Sequence, residues 1–235
     1  MGILEGQVAL VTGAGRGFGR AIAERFAVEG ATVALLARSL SQLDEVAQSI
    51  RDAGGQAIGV RCDVADAGSI ESATRKAEEL LGPTDLLVNN AGVLHSGERF
   101  GRLGLANLED SFRTNAAGPL LLVQALAPLL AGGARVANLS SELGSIGATS
   151  RFGTPSYNMS KAAQNMATAL LAHALRERGI VVVALHPGWV RTDMGGEGAS
   201  LAPAESAAGL LRAIAGLAPD DSGRFLDWRG RPLPW

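Results

Sequence analysis

The chain contains a single tyrosine, Tyr157, which precedes Lys161, one of its two lysines, by four residues. Side chains four residues apart in an α-helix lie on one face, so this phenol and this amine can serve one site. A phenol titrates near pH ~10, and a neighbouring cation lowers its pKa by favouring the phenolate. Proton transfer is most effective when the pKa lies near the working pH. The pair therefore predicts proton transfer to or from an alcohol or carbonyl oxygen, with Lys161 lowering the pKa of Tyr157.

The elements that must position this pair alternate between short apolar runs and longer helical stretches. Strands are predicted at 8–12, 32–37, 57–62, 86–89, 135–140, 180–185 and 223–226, and helices at 20–29, 40–53, 69–81, 105–130, 157–178 and 204–216. Strands that are apolar throughout are typical of a parallel sheet with helices on both faces. The order predicts an α/β, doubly wound Rossmann fold with about seven parallel strands, in a single domain over 1–235.

The first predicted strand runs directly into a glycine-rich segment at 12–19, T-G-A-G-R-G-F-G, and a helix follows. Glycine allows positive φ and close approach of the backbone to a ligand. The start of a helix offers free N–H groups and the positive end of its dipole to a phosphate. A glycine-rich turn without a ligand is the alternative, but the position between first strand and first helix favours a nucleotide site.

The end of the second strand bears on which dinucleotide would bind. In NAD sites a carboxylate at this point holds the ribose 2′-OH, whereas this strand ends in Ala37-Arg38-Ser39. A guanidinium forms strong charge-assisted bonds to a 2′-phosphate, and Arg16 in the glycine-rich segment supplies a second cation. Both arginines could instead be merely solvated. The charge at these positions favours NADP(H) over NAD(H).

Composition argues against several classes of function. The chain of 235 residues has a net charge of -2 and no basic block, so nucleic acid is not an expected partner. The one cysteine, Cys62, cannot form an internal disulfide, and no Cys/His cluster indicates a metal. The N-terminal residues do not resemble a signal peptide, and no apolar run reaches the ~18 residues of a membrane span. We therefore expect a soluble cytoplasmic protein without membrane contacts.

Several motifs, in their order along nearly the whole chain, resemble those of the short-chain dehydrogenase/reductase family. They are T-G-x-x-x-G-x-G at 12–19, N-N-A-G at 89–92, Asn115, Ser140-Ser141, Tyr157 with Lys161, and P-G at 187–188 with Thr192. The resemblance implies the core form of the family, with NADP preferred. The ending at 225–235 resembles, less specifically, a carbonyl-reductase-like branch that also includes a bacterial cell-signalling factor.

The resemblance implies a catalytic set of Asn115, Ser141, Tyr157 and Lys161. Tyr157 would be the general acid/base, Lys161 would lower its pKa and hold the nicotinamide ribose, and Ser141 would position the carbonyl. Asn115 would support a water relay. Two alternatives stay open: Ser140 reacts while Ser141 only caps a turn, or Asn115 is simply a buried residue at a helix kink.

The resemblance also implies a set of cofactor contacts. Asp63 matches the position that hydrogen-bonds the adenine, although it could instead cap the next turn. Thr192 would contact the nicotinamide carboxamide, or could cap the following helix. The full set is Gly13, Gly15, Arg16, Gly17, Phe18, Gly19, Arg38, Ser39, Asp63, Val64, Asn90, Ala91, Gly92, Tyr157, Lys161, Pro187, Gly188, Val190 and Thr192.

The expected function is NADPH-dependent reduction of a carbonyl compound, reversible as alcohol oxidation. One alternative is an NADP-binding regulatory or signalling protein with little catalysis. Another is a 3-oxoacyl-carrier-protein reductase, which would predict a basic docking patch such as Arg99, Arg102 and Arg151. Substrate contacts are expected from 93–102, 143–155 and 189–201, and the segment from Ser141 to Tyr157 is a few residues longer than is common in the family. In the family the helices at 105–130 and 157–178 pair between subunits, which implies a homodimer or homotetramer.

Overall fold

The computed structural model describes residues 2–235, in which seven strands form one parallel sheet in the order β3-β2-β1-β4-β5-β6-β7. The strands are β1 (Val8–Thr12), β2 (Thr32–Ala37), β3 (Gln56–Arg61), β4 (Thr84–Asn89), β5 (Leu130–Leu139), β6 (Val181–His186) and β7 (Phe225–Asp227). The helices are α1 (Gly17–Val28), α2 (Leu40–Asp52), α3 (Ala67–Leu81), α4 (Leu105–Phe112), α5 (Gly118–Leu126), α6 (Pro155–Ala174) and α7 (Pro203–Ala215). The predicted doubly wound α/β fold with seven parallel strands is confirmed.

Helices cover both faces of the sheet, and apolar side chains fill the space between the layers. On one face Ile22 and Phe26 of α1 pack in one cluster with Leu210 of α7. On the other face Ile70 of α3 and Leu122 of α5 belong to a second cluster. Burying each such side chain contributes ~1.5–3 kcal/mol. The central strands are largely apolar because both of their faces are covered.

The predicted helix over 105–130 is helical without interruption to Leu129, but it is not one uniform α-helix. It is α4, one π-helical turn at Arg113–Ala117, and α5, followed by a short 3-10 turn at Ala127–Leu129. Pro119 has no N–H to donate to the carbonyl of Asn115, and a proline ring clashes with the carbonyl four residues earlier. A Cβ on Gly118 would lie 2.4 Å from the Val64 carbonyl oxygen, so the backbone there is drawn close to the loop after β3. The π-helical turn, which is wider than an α-helical turn, accommodates both Pro119 and the close approach of Gly118 to Val64.

Most of the other boundaries differ from those predicted by one to five residues, and two of them have a clear structural basis. β5 begins at Leu130, five residues before the predicted start, because Leu130 pairs with Thr84 across an irregular register. α6 begins two residues earlier than predicted, at Pro155, where a proline is tolerated in the first helical turn. Within residues 2–235, no helix combines the length and the apolar character needed to cross a membrane.

Candidate active site

A cleft of about 970 Å³ follows the carboxyl ends of the central strands. It lies at the point between β1 and β4 where the strand order reverses, which is where ligands bind in open α/β sheets. The structure brings together at this cleft every residue predicted to contact the cofactor, and with them Ser141. Asn115 is the one predicted site residue that does not line the cleft.

The glycine-rich segment forms the turn between β1 and α1. Gly17 has φ +55°, which favours glycine, and a Cβ placed there would meet nothing within 4 Å. A Cβ on Gly19 would lie 2.3 Å from the Gly13 carbonyl oxygen, so the turn closes only with glycine. No side chain caps the start of α1 at Arg16. The first-turn N–H groups are therefore left for an anion, and the turn fits a dinucleotide pyrophosphate.

The N-N-A-G segment holds this turn in place from the neighbouring strand. The Thr12 hydroxyl oxygen accepts hydrogen bonds from the backbone N–H groups of Asn90 and Ala91, each at 2.9 Å. The Asn90 side-chain amide donates to the Thr12 carbonyl at 2.8 Å. These bonds join the ends of β1 and β4, and so fix the floor of the cleft.

The two arginines predicted to meet a 2′-phosphate lie at the cleft in different states. Arg38 is exposed and forms no hydrogen bond or ion pair with any residue from 2 to 235. Arg16 forms an ion pair of 2.5 Å with Asp193, which links the glycine-rich turn to the loop after β6. The side chains of this pair are 69% and 83% exposed. Such surface pairs contribute little, so Arg16 is free to exchange Asp193 for a ligand.

For Asp63 and Thr192 the capping alternatives are present in the structure. One Asp63 carboxylate oxygen accepts from the backbone N–H of Ala65 at 3.0 Å. The Thr192 hydroxyl accepts from the backbone N–H of Gly195 at 3.2 Å. Both residues also line the cleft, so their capping bonds do not remove them from reach of a ligand.

Tyr157 and Lys161 both lie on α6 and face the cleft, as their spacing predicts. The Lys161 amine lies 5.7 Å from the centre of the Tyr157 ring. It donates hydrogen bonds to the Leu139 carbonyl at 2.7 Å and to the Gln164 side-chain oxygen at 2.9 Å. The two side chains are 8% and 4% exposed.

In this arrangement the net direction of the Tyr157 pKa is opposite to the one predicted. Burial raises the pKa of Tyr157 to about 12, and hydrogen bonding with Ser141 opposes that rise. Burial also lowers the pKa of Lys161 to about 7. Removing both groups from water disfavours the charged form of each, and the amine is turned toward Leu139 and Gln164.

The structure distinguishes the two serines at the end of β5. The Ser140 hydroxyl donates to the Asn165 side-chain oxygen at 2.6 Å. The Ser141 hydroxyl accepts from the backbone N–H of Leu143 at 3.2 Å, which caps the following turn, and it lies near enough to Tyr157 to act against the rise in the pKa of that phenol. Ser141 is therefore the serine that lies beside the Tyr157 phenol.

Asn115 supports the cleft from behind. It is fully buried, and its side-chain amide donates to the Val93 carbonyl and to the Ser160 hydroxyl, both at 2.9 Å. Its side-chain oxygen accepts from the Val93 N–H at 2.8 Å. Asn115 thus joins the segment after β4 to α6 at Ser160, the residue before Lys161.

Sequence reasoning missed three side chains that shape the site. Glu98 accepts hydrogen bonds from the backbone N–H of Ser156 at 3.1 Å and from its hydroxyl at 2.8 Å, at the start of α6. His186 lines the cleft, and burial lowers its pKa. Gln164 holds the Lys161 amine. The sequence carries no local signal for Glu98, because its partner is 58 residues away.

A family model described as short chain dehydrogenase matches residues 7–200. The chain belongs to the short-chain dehydrogenase/reductase family. It is accordingly a dehydrogenase/reductase, that is, an oxidoreductase, and the family uses NAD(P)H.

Individual members of the family match over most of the chain. It is 34% identical over 230 residues to 1-hydroxy-2-glutathionyl-2-methyl-3-butene dehydrogenase of Rhodococcus sp. strain AD45, covering 96% of this chain and 98% of the relative. It is 47% identical over 156 residues to C-signal of Myxococcus xanthus, covering 66% of this chain and 94% of the relative. Among solved structures, the NADPH-bound carbonyl reductase from chicken fatty liver is 33% identical with a TM-score of 0.91, covering 99% of this chain and 100% of that one.

Proposed function

We propose that this short-chain dehydrogenase/reductase is an NADP(H)-dependent carbonyl reductase, reversible as an alcohol dehydrogenase. The observation that carries the proposal is the placement of Tyr157, Ser141 and Lys161 in the same cleft as the glycine-rich turn. The Tyr157 phenol and the Ser141 hydroxyl lie beside each other in that cleft, so both can donate a hydrogen bond to one carbonyl oxygen. The chicken carbonyl reductase of similar structure supports the reaction class.

The residues of this chain have distinct tasks in such a reaction. When bound, NADPH supplies the hydride to the carbonyl carbon. The hydroxyls of Tyr157 and Ser141 donate hydrogen bonds to the oxygen on which negative charge develops. Tyr157 then delivers its proton to that oxygen. A high pKa keeps the phenol protonated at neutral pH, and the Lys161 ammonium stabilises the phenolate that remains.

The preference for NADP(H) rests on Arg38. It stands at the end of β2, where an acidic residue would hold a ribose hydroxyl, and its guanidinium is unpaired among the described residues. A 2′-phosphate would accept charge-assisted bonds from it. Arg16 would strengthen the same contact once it leaves Asp193. The NADPH in the chicken carbonyl reductase agrees with this assignment.

The apolar mouth of the cleft favours uncharged carbonyl compounds. Leu143, Trp189 and Met194 line it with exposed apolar surface. Acyl thioesters are a further substrate class to test, because a carrier-protein reductase would use a basic docking patch such as Arg99, Arg102 and Arg151. The rings of Phe100 and Phe152 meet edge to face at 5.7 Å, which brings together the two segments that carry these arginines.

The test is NADPH oxidation by the purified protein against aldehydes, ketones and acyl thioesters, with NADPH affinity measured separately. Tyr157→Phe should lower kcat/KM by ~10²–10⁴-fold, the usual contribution of a general acid, and should retain NADPH binding. Ser141→Ala and Ser140→Ala form a matched pair, of which Ser141→Ala should be the more damaging. Equal turnover by wild type and Tyr157→Phe would rule out the proposed proton donor.

A nucleotide-binding signalling protein with little catalysis is the second candidate. The similarity to a protein named C-signal over 156 residues favours it. NADPH binding without turnover of any carbonyl compound or acyl thioester would support this candidate over the reductase.

A further inference from the structure

Gln164 is a buried amide whose two polar atoms are in different situations. Its side chain is fully inaccessible to solvent, three residues after Lys161 on α6. The side-chain oxygen accepts a hydrogen bond from the Lys161 amine at 2.9 Å. The side-chain nitrogen is buried and has no partner among residues 2–235. A buried donor without a partner is costly in free energy. The hydrogen bond that the side-chain oxygen accepts from Lys161 is therefore the polar contact that orients this amide.

We propose that Gln164 is a positioning residue for Lys161, fixing the ammonium together with the Leu139 carbonyl so that its third N–H faces Tyr157 and the cleft. An ammonium has three donors and no acceptor, which requires the amide to present its oxygen. Two of the three donors are engaged, at 2.7 Å and 2.9 Å. The importance of this placement for catalysis rests on the proposed reductase function, whereas the placement itself does not.

Packing around the lysine stem leaves Gln164 as the side chain that sets the ammonium's position. A Cβ added to Gly144 would lie 2.7 Å from the Lys161 Cβ, so the turn after β5 encloses the stem closely. With the stem enclosed, the amine reaches two fixed acceptors: one on the strand at Leu139 and one on the helix at Gln164. Loss of the helix acceptor would leave one bond, about which the amine could swing.

The same hydrogen bond stabilises the charged form of Lys161. Burial lowers the pKa of Lys161 to about 7, and an acceptor on the ammonium opposes that effect. Besides three arginines, the titratable groups that line the same cleft are Tyr157, Glu142 on the turn after β5, His186 at the end of β6, Asp110 on α4, Cys62 and Asp63 after β3, and Asp193 in the loop after β6. Gln164 differs from these groups because it is uncharged at every pH and touches the amine directly.

The presence of only two lysines makes the lysine pKa directly measurable. Protein labelled with ¹³C at the lysine Cε gives two signals by NMR, and Lys76→Met assigns them. In cofactor-free wild type, the Lys161 signal should titrate near pH 7, several pH units below the ordinary value for a lysine. Gln164→Leu should move the Lys161 midpoint down by about one pH unit, because the charged form loses a hydrogen bond. Gln164→Glu retains an acceptor, adds a negative charge, and should move the midpoint up.

Thr168→Val is the structural control. Thr168 lies one turn further along α6 and donates to the backbone carbonyl of Gln164 at 2.9 Å, in the same buried layer. It should lower the melting temperature without moving the Lys161 midpoint. An unchanged midpoint in Gln164→Leu, or an equal shift in Thr168→Val, would overturn the proposal.

Kinetics provide the second readout. If Lys161 must be charged to assist reduction, the pH at which kcat/KM falls on the alkaline side should move down in Gln164→Leu and up in Gln164→Glu. NMR shifts in these directions from a protein without reductase activity would refute the proposed function and leave the placement of Lys161 by Gln164 standing. Reductase activity with unmoved NMR midpoints would refute the placement of Lys161 by Gln164 and leave the proposed function standing.

Discussion

At the scale of single residues, the buried amine of Lys161 couples the stability of the fold to pH. Its pKa is about 7 in the folded chain and near 10.5 when unfolded. Between these values the unfolded state binds more protons, so stability should rise as the pH rises above 7. Burial raises the pKa values of Tyr157 and Cys62 to about 12. These groups oppose the trend only where their unfolded forms begin to ionise, from pH ~8 for Cys62 and from pH ~9 for Tyr157.

The prediction concerns the cofactor-free protein between pH 7 and 9. Wild type should gain melting temperature across this window, and Lys161→Met should reduce or abolish that gain. Lys76→Met is the matched control, because Lys76 is an exposed residue on α3 paired only with Glu79. A pH profile that is the same in wild type and Lys161→Met would show that the amine is not buried as described.

Arg38 carries the second prediction at this scale. Arg38→Ala should weaken NADPH binding by ~10–100-fold, the range expected for bonds to a charged group, and should leave NADH binding within ~3-fold. The measurement is the Kd of each cofactor by intrinsic fluorescence or calorimetry. Arg75→Ala, an exposed arginine on α3 away from the cleft, removes the same charge and should change neither Kd. Parallel losses for both cofactors in Arg38→Ala would count against recognition of a 2′-phosphate.

At the scale of elements, the turn between β1 and α1 depends on backbone contacts that a methyl group would break. A Cβ on Gly19 would lie 2.3 Å from the Gly13 carbonyl oxygen and 2.5 Å from the Asn90 amide nitrogen. Gly19→Ala should therefore displace the turn, at a cost of ~1–3 kcal/mol in the free energy of unfolding. NADPH binding should weaken by at least ~10-fold, since the N–H groups of the first helical turn move with it.

Gly132→Ala is the control for this prediction. Gly132 lies in β5, and a Cβ there would meet nothing within 4 Å. Urea unfolding and NADPH titration of both variants measure the two effects. Unimpaired NADPH binding by a folded Gly19→Ala would show that the turn does not hold the pyrophosphate.

The elements also show where sequence reasoning succeeds and where it stops. Strands such as β2 were predicted with their bounds, because residues covered on both faces of a sheet are apolar without interruption. The π-helical turn before α5 was not predicted, although Pro119 is visible in the sequence. The apolar spacing continues through it, and the close approach of Gly118 to Val64 is a tertiary contact.

The site divides in the same way. Tyr157 and Lys161 were predictable because both lie on one helix at a fixed spacing. The direction of the Tyr157 pKa was not, because burial depends on the segments that pack over α6 from elsewhere in the chain. Gln164 reads in the sequence as an ordinary helical polar residue, and only its complete burial beside the amine gives it a role.

At the scale of the whole molecule, the end of the chain supports the loop over the active site. The Trp235 carbonyl accepts a hydrogen bond from the backbone N–H of Gly147 at 2.8 Å. Its ring stacks on Phe225 of β7 at 5.5 Å. The segment between Ser141 and Tyr157 is thereby tied to the edge of the sheet at β7.

Exposed apolar side chains on α4 and α6 bear on the oligomeric state of the protein. Met159, Met166 and Leu170 follow one face of α6 and are about 60% exposed, at 62%, 62% and 59%. Leu105 and Phe112 are more than half exposed on α4, which packs against α6. A continuous apolar face of this kind is typical of a protein–protein interface. It supports the predicted homodimer or homotetramer, with these helices at the interface.

Met166→Glu tests this assignment. A carboxylate buried at the centre of an interface without a partner is strongly unfavourable, so the variant should dissociate at concentrations where wild type is assembled. Light scattering coupled to size-exclusion chromatography measures the mass of each. Leu80→Glu, a substitution of the same kind at an exposed position on α3, should keep the wild-type mass. Unchanged mass in Met166→Glu, or the same dissociation in Leu80→Glu, would show that this face of α6 does not hold subunits together. Because assembly stabilises the folded subunit, dissociation should also lower the melting temperature of the protein. The site would be affected as well, since α6 carries Tyr157 and Lys161.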